Sequence, residues 1–169
     1  MKLHMFDVEK NEYVLSIHIR WMKLLAKISK KFRSVCETFT TFSEHVPMGL
    51  CFKSDGQYYI FMNDTGKVND YVFKHEIAHI KLGHVGRDEK PGYKAAKQQE
   101  LDADKYAFEV LKCKPLLMWR TLGLYCEELQ DKFLRSGHND VECYATYRAT
   151  TARMKQLEEL MGVEETEML

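Results

Sequence analysis

The stretch KHEIAHIKLGH, residues 74–84, constrains this chain more than any other. It holds three of the seven histidines, with a glutamate after the first. Tyr71, Val72, Phe73, Ile77, Ala78, Ile80 and Leu82 nearly surround them with apolar side chains. Asn69 or Asp70 can cap a helix here and Gly83 can end it. On that helix His75 and His79, four residues apart, share one face. A dry helix is a poor place for unpaired imidazoles and a good place for ligands. Two ring nitrogens so placed can bind one Zn²⁺ at about 2.0–2.1 Å. Glu76 completes HExxH, in which the glutamate stands beside the metal and takes a proton from its water. The competing reading is an amphipathic helix that carries surface histidines.

Two histidines leave the site unfinished, since a catalytic zinc has three protein ligands and an open position. The segment QQELDADKYAFEVL supplies Glu100 and Asp104, again four apart on a predicted helix. Glu100 is the candidate third ligand. Asp104, one turn on, can accept the second N–H of a ligand histidine and fix its tautomer. Ala103 and Ala107 are small enough for a close helix approach. Read alone, the segment is equally a solvated acidic face, since Asp102 and Glu109 are acidic too. His84 is the rival ligand. It lies five residues past His79 where HExxHxxGxxH needs six, so a helix-end or rim position suits it better.

The rest of the chain bounds the reading. Its 169 residues suit one domain, and 45% hydrophobic content can supply a core. Lys+Arg and Asp+Glu both number 25, which gives no global signal for nucleic acid. Charge is uneven: residues 1–35 are basic and the tail from Leu157 to Leu169 is acidic. The five cysteines are scattered with no CxxC, which argues against a disulfide framework and a cysteine zinc site. The N-terminus has no apolar signal region, and no apolar run approaches the ~20 residues that span a bilayer. A cytoplasmic protein that binds neither membrane nor nucleic acid is expected.

Apolar residues from Val14 to Val35 recur at helical spacing, so residues 12–36 read as an amphipathic helix within an N-terminal helical segment, 1–45. The runs MGLCFK and QYYIFM flank SDG, a hairpin signal at Asp55–Gly56. Helices are expected at the HExxH segment, at residues 95–113 up to Pro115, at 116–135, and, after the break at Gly137, at 140–161. The fold class predicted for residues 1–169 is a mainly helical α+β domain, zincin-like, with a small sheet beside the HExxH helix. Its zinc-binding core is placed at 48–112 and its C-terminal helices at 113–169.

With YYIFMND, then VFKHEIAHIKLGH, then ELDADKYAFEVL, the chain resembles the ImmA/IrrE metallopeptidases over roughly residues 48–112. The resemblance implies a gluzincin-like core with His75, His79 and Glu100 as ligands and Glu76 as base. It also implies a phage or mobile-element setting and a DNA-binding repressor as partner. Asp102 and Tyr106 replace the usual Glu and Phe of that family, and Cys113-Lys114-Pro115 stands where Met-Pro is usual. The E-x-x-A-D pattern is also similar to that of membrane-embedded zinc peptidases, whose His-Pro…Arg segment is echoed faintly by His138 and Arg148 or Arg153.

The function expected is a zinc endopeptidase, one Zn²⁺ per chain, acting on a specific intracellular protein. The alternative is a zinc-containing module that binds and controls its partner without cutting it. A peptidase also needs an oxyanion donor. His138, Tyr144, Tyr147 and Arg148 are the candidates, and QYYIFM could align an extended substrate by edge pairing.

Overall fold

The computed structural model describes residues 2–18, 49–63, 69–86 and 91–162. Within these the chain is α+β and mainly helical: four strands and four helices. They fall into two compact units, Met1–Gly86 and Arg87–Leu169.

Among the described residues the first unit is a four-stranded antiparallel sheet with one helix. The strands are β1 (Lys2–Asp7), β2 (Glu12–His18), β3 (Gly49–Ser54) and β4 (Gln57–Asn63), in the order β2-β1-β4-β3. Residues 12–18 are therefore strand where a helix is expected from spacing, and residues 2–7 are a strand too. The remainder of that expected helix lies outside the described residues. The physical reason is visible in EYVLSIH, where apolar three- and four-residue spacings coexist with a β-favouring run of Tyr, Val and Ile. The ladder decides between them: Leu3 faces Ile17 on one side and Asn63 on the other, a long-range pairing no local pattern reveals.

Asp7 makes the β1–β2 connection. Fully buried, its Oδ1 accepts the backbone N–H groups of Glu9 at 3.1 Å and Lys10 at 3.0 Å. This is the carboxylate-capped turn that aspartate favours. The β3–β4 hairpin turns at Asp55 and Gly56, as expected, both with positive φ (51° and 81°), the requirement of a two-residue primed turn. β4 lies inside the sheet between β1 and β3, with Ile60, Phe61 and Met62 all buried. Both its edges are paired, so QYYIFM cannot align a substrate, and among the described residues β3 is the terminal strand on that side of the sheet.

Helix α1 (Asn69–Lys81) packs on β3 and β4 and sets Phe73 edge-on to Phe6 of β1, centroids 4.9 Å apart. It ends where Gly83 takes φ 68° and the His84 N–H reaches the His79 carbonyl at 2.9 Å.

The second unit is helical: α2 (Tyr93–Glu109), α3 (Pro115–Arg135) and α4 (Val141–Met161). Pro115 opens α3 at its first turn, where a missing N–H costs nothing. Asp140 caps α4 by accepting the Cys143 N–H at 2.8 Å. α3 and α4 form a hairpin around Met118, Leu122, Leu129, Cys143 and Leu157, and α2 packs on α4. Cys51, Cys113, Cys126 and Cys143 are free thiols, and burial pushes those of Cys126 and Cys143 above the ordinary range. No helix among the described residues is long and apolar enough to cross a membrane.

Asp7→Ala is expected to destabilise the protein by about 1–3 kcal/mol, because two turn N–H groups lose a buried, charged acceptor. Asp7→Asn, which keeps an acceptor oxygen, should cost clearly less in urea unfolding.

Candidate metal and catalytic site

Helix α1 buries three ionisable side chains in little more than one turn: His75, Glu76 and His79 are 7%, 8% and 9% exposed. The i, i+4 spacing does what the sequence predicts. His75 Nε2 and His79 Nε2 stand 3.0 Å apart, aimed at a common point. Zinc–nitrogen bonds of about 2.0–2.1 Å at tetrahedral angles put two nitrogens about 3.3 Å apart, so the pair suits one ion.

The other nitrogen of His79, Nδ1, lies 3.0 Å from Nδ1 of His84. His84 is thus the neighbour of a ligand candidate, brought there by the turn at Gly83. With His79 as the donor in that contact, its Nε2 is the lone-pair nitrogen, the tautomer that ligation needs. The sequence signal was present, since a left-handed glycine just past a helix folds the next residue back over the last turn.

Glu76 is buried, and among the described residues its carboxylate has no hydrogen-bond or ion-pair partner. Gly49, the first residue of β3, lies against it. A Cβ at Gly49 would stand 2.6 Å from Val72 Cγ1 and 3.0 Å from Glu76 Oε1. The strand approaches the helix so closely because that position has no side chain. Sequence reasoning passed over Gly49, which in MGLCFK looks like an ordinary strand boundary.

In the second unit, Glu100 is half-buried and Asp104 fully buried on α2. Asp104 Oδ2 accepts from Arg153 Nε at 2.6 Å, and Oδ1 accepts from Nη2 at 3.0 Å. Arg153 Nη1 is 2.8 Å from Glu100 Oε2. Arg153 is the partner of Asp104 that the sequence reading missed. Its signal was a cation on the buried stripe of α4, three residues after Thr150 and four before Leu157. Of the oxyanion candidates, His138 stacks edge-on against Phe133, at 5.0 Å, in the α3–α4 turn. Tyr144 lies at 5.2 Å from the same ring and 6.5 Å from Tyr147. Arg148 has no ion pair among the described residues.

His75 and His79 offer a converging donor pair on α1 of the first unit, and Glu100 offers a carboxylate on α2 of the second. A helix with this donor set belongs to the repertoire of peptidases, and the family assignment agrees. The sequence pattern of the Peptidase U49 family matches residues 10–116, and the chain belongs to that family. The match takes in His75, Glu76, His79, Glu100 and Asp104 and extends well upstream of residue 48. The ImmA/IrrE likeness rests on the motif residues alone. No curated protein and no solved structure matches the chain.

Gly49→Val should destabilise the protein by about 1–3 kcal/mol through overpacking against Val72 and displace the Glu76 carboxylate. Leu50→Val, its neighbour on the same strand, is the control, and thermal unfolding of the two variants checks it.

Proposed function

We propose that the chain is a zinc-dependent endopeptidase, with His75, His79 and Glu100 holding one Zn²⁺ and Glu76 acting as general base. The observation that carries this reading is Glu76. Buried carboxylates are normally paired or hydrogen-bonded, because desolvating an unmatched charge is costly. A structural glutamate on α1 would have a donor. One without a partner among the described residues, beside a pair of converging imidazoles, suits a group that accepts a proton during turnover.

A zinc ion held there supplies Lewis acidity and lowers the pKa of a water to about 7. The protein's own groups do the rest. His75 and His79 offer Nε2, and His84 fixes the tautomer of His79. Glu76 takes the proton from the attacking water and delivers it to the leaving amine. Asp104 lies one turn from Glu100 on α2, and its partner Arg153 reaches Glu100 as well. The outer edge of β3, which begins against Glu76 at Gly49, would pair with an extended stretch of the substrate. His138, Tyr144, Tyr147 and Arg148 remain the candidates for stabilising the oxyanion.

Peptidase family membership supports a protein substrate. The specific substrate we propose is an intracellular regulatory protein, with a DNA-binding repressor favoured by the ImmA/IrrE likeness.

Purified wild-type protein is expected to carry one zinc per chain after loading, and His79→Ala to lose it, as read by elemental analysis. Stoichiometric zinc retained by His79→Ala would contradict the ligand assignment. Glu76→Gln keeps the shape and the ligands, so it should bind zinc as wild type does. Its cleavage of a co-expressed candidate repressor should fall by at least ~10²-fold, followed by mass spectrometry of the repressor. Cleavage undiminished in Glu76→Gln refutes the mechanism. A repressor left intact yet silenced by both forms would support control by binding alone.

A further inference from the structure

Glu100 poses a problem that its place on α2 does not solve. Its side chain is long, has three rotatable bonds and is 38% exposed, so packing alone does not fix where its carboxylate points. It also lies one turn from the buried Asp104, and like charges four residues apart on a helix repel. Both difficulties meet at Arg153.

We propose that Arg153 is a positioning residue for the metal site, holding the Glu100 carboxylate in the orientation in which it serves as a ligand. The role rests on the reading of Glu100 as a zinc ligand. One guanidinium spans both acids. Nε and Nη2 form a fork on the two oxygens of Asp104, at 2.6 and 3.0 Å, and Nη1 extends to Glu100 Oε2 at 2.8 Å. Because these nitrogens lie in one rigid plane, the fork on Asp104 fixes the direction of the third. Asp104, 3% exposed at its side chain, is the anchor, and Glu100 is the group positioned. Ligation through the other Glu100 oxygen would leave this ion pair intact.

The guanidinium is itself held. Its side chain is 12% exposed and rises from the middle of α4 rather than from a loop. One turn further along α4, Gln156 Nε2 donates to the Leu101 carbonyl at 2.9 Å, which pins α4 to α2 next to Glu100. Two residues beyond that, Glu158 accepts the Trp119 indole N–H at 2.8 Å and ties α4 to α3. A three-helix frame thus delivers one cation to two carboxylates. Arg153 lies outside the family match, which ends at residue 116.

The test is the zinc affinity of the metal-freed full chain, measured by competition with a chromophoric chelator. It is run on wild type, Arg153→Lys, Glu100→Gln and the double variant, alongside unfolding of each metal-free protein. Arg153→Lys keeps a cation against Asp104 and should fold, but one ammonium cannot fork on Asp104 and reach Glu100 as well. Its zinc affinity should fall about 10-fold, the scale on which groups that orient ligands act. In the Glu100→Gln background the same change should matter by less than about twofold, since no ligand carboxylate is left to orient. Should Arg153→Lys fail to fold, the pair Asp104→Asn with Arg153→Gln removes both buried charges and is read through the same cycle. Undiminished affinity in the Arg153 variant, or the same loss in both backgrounds, overturns the proposal. A wild-type chain that takes up no zinc overturns instead the reading of Glu100 as ligand, on which the role rests.

Discussion

Burying His75, Glu76 and His79 on α1 is the constraint around which the first unit is built. Three ionisable groups removed from water in adjacent turns of one helix are unfavourable unless each has compensation. The histidines compensate one another in part, through the 3.0 Å contact between their Nε2 atoms and the contact from His79 to His84. The sheet supplies the remaining stabilisation. Ile60, Phe61 and Met62 on β4 and Met5 and Phe6 on β1 bury apolar surface together with Tyr71, Val72 and Ala78 of α1, and the Phe6–Phe73 contact ties helix to sheet. The absence of a side chain at Gly49 lets β3 close over Val72 and Glu76.

The two units treat buried carboxylates in opposite ways. Asp7 and Asp104 are each fully buried and each satisfied, one by turn N–H groups and a lysine, the other by a guanidinium fork. Those are structural solutions, and they show that this fold provides donors where a carboxylate has only to be stable. Glu76 is the contrast. It lies as deep as its neighbouring histidines and has no donor among the described residues. Among the described residues this fold pairs its other buried acids and not Glu76, a difference that supports the role of base proposed for it.

The parts legible in the sequence were those governed by short-range rules. The HExxH helix, its end at Gly83, the Asp55–Gly56 hairpin, the helix break before Pro115 and the break at Gly137 all follow from spacing and turn chemistry within a few residues. The errors lay where partners are distant. β2 shows a helical apolar spacing by coincidence and becomes a strand because β1 is available to pair with it. β4 reads as an edge strand until β1 is placed on its other side, sixty residues back along the chain. His84 was placed at the helix end correctly, but its contact with His79 depends on how the left-handed turn directs the ring.

The sequence by itself determined which chemistry is possible. Two histidines four apart with a glutamate between them, and two acids four apart further on, define a donor set before any folding is considered, because helical periodicity alone brings each pair to one face. Only the tertiary structure decided how those donors are held. That Gly49 leaves room for Glu76, that Arg153 clamps Asp104 and reaches Glu100, and that β4 lies between β1 and β3 are set by contacts between residues far apart in sequence. Such contacts depend on the packing of whole elements, in which a side chain's partner is fixed by three-dimensional register and leaves no periodic trace in the chain.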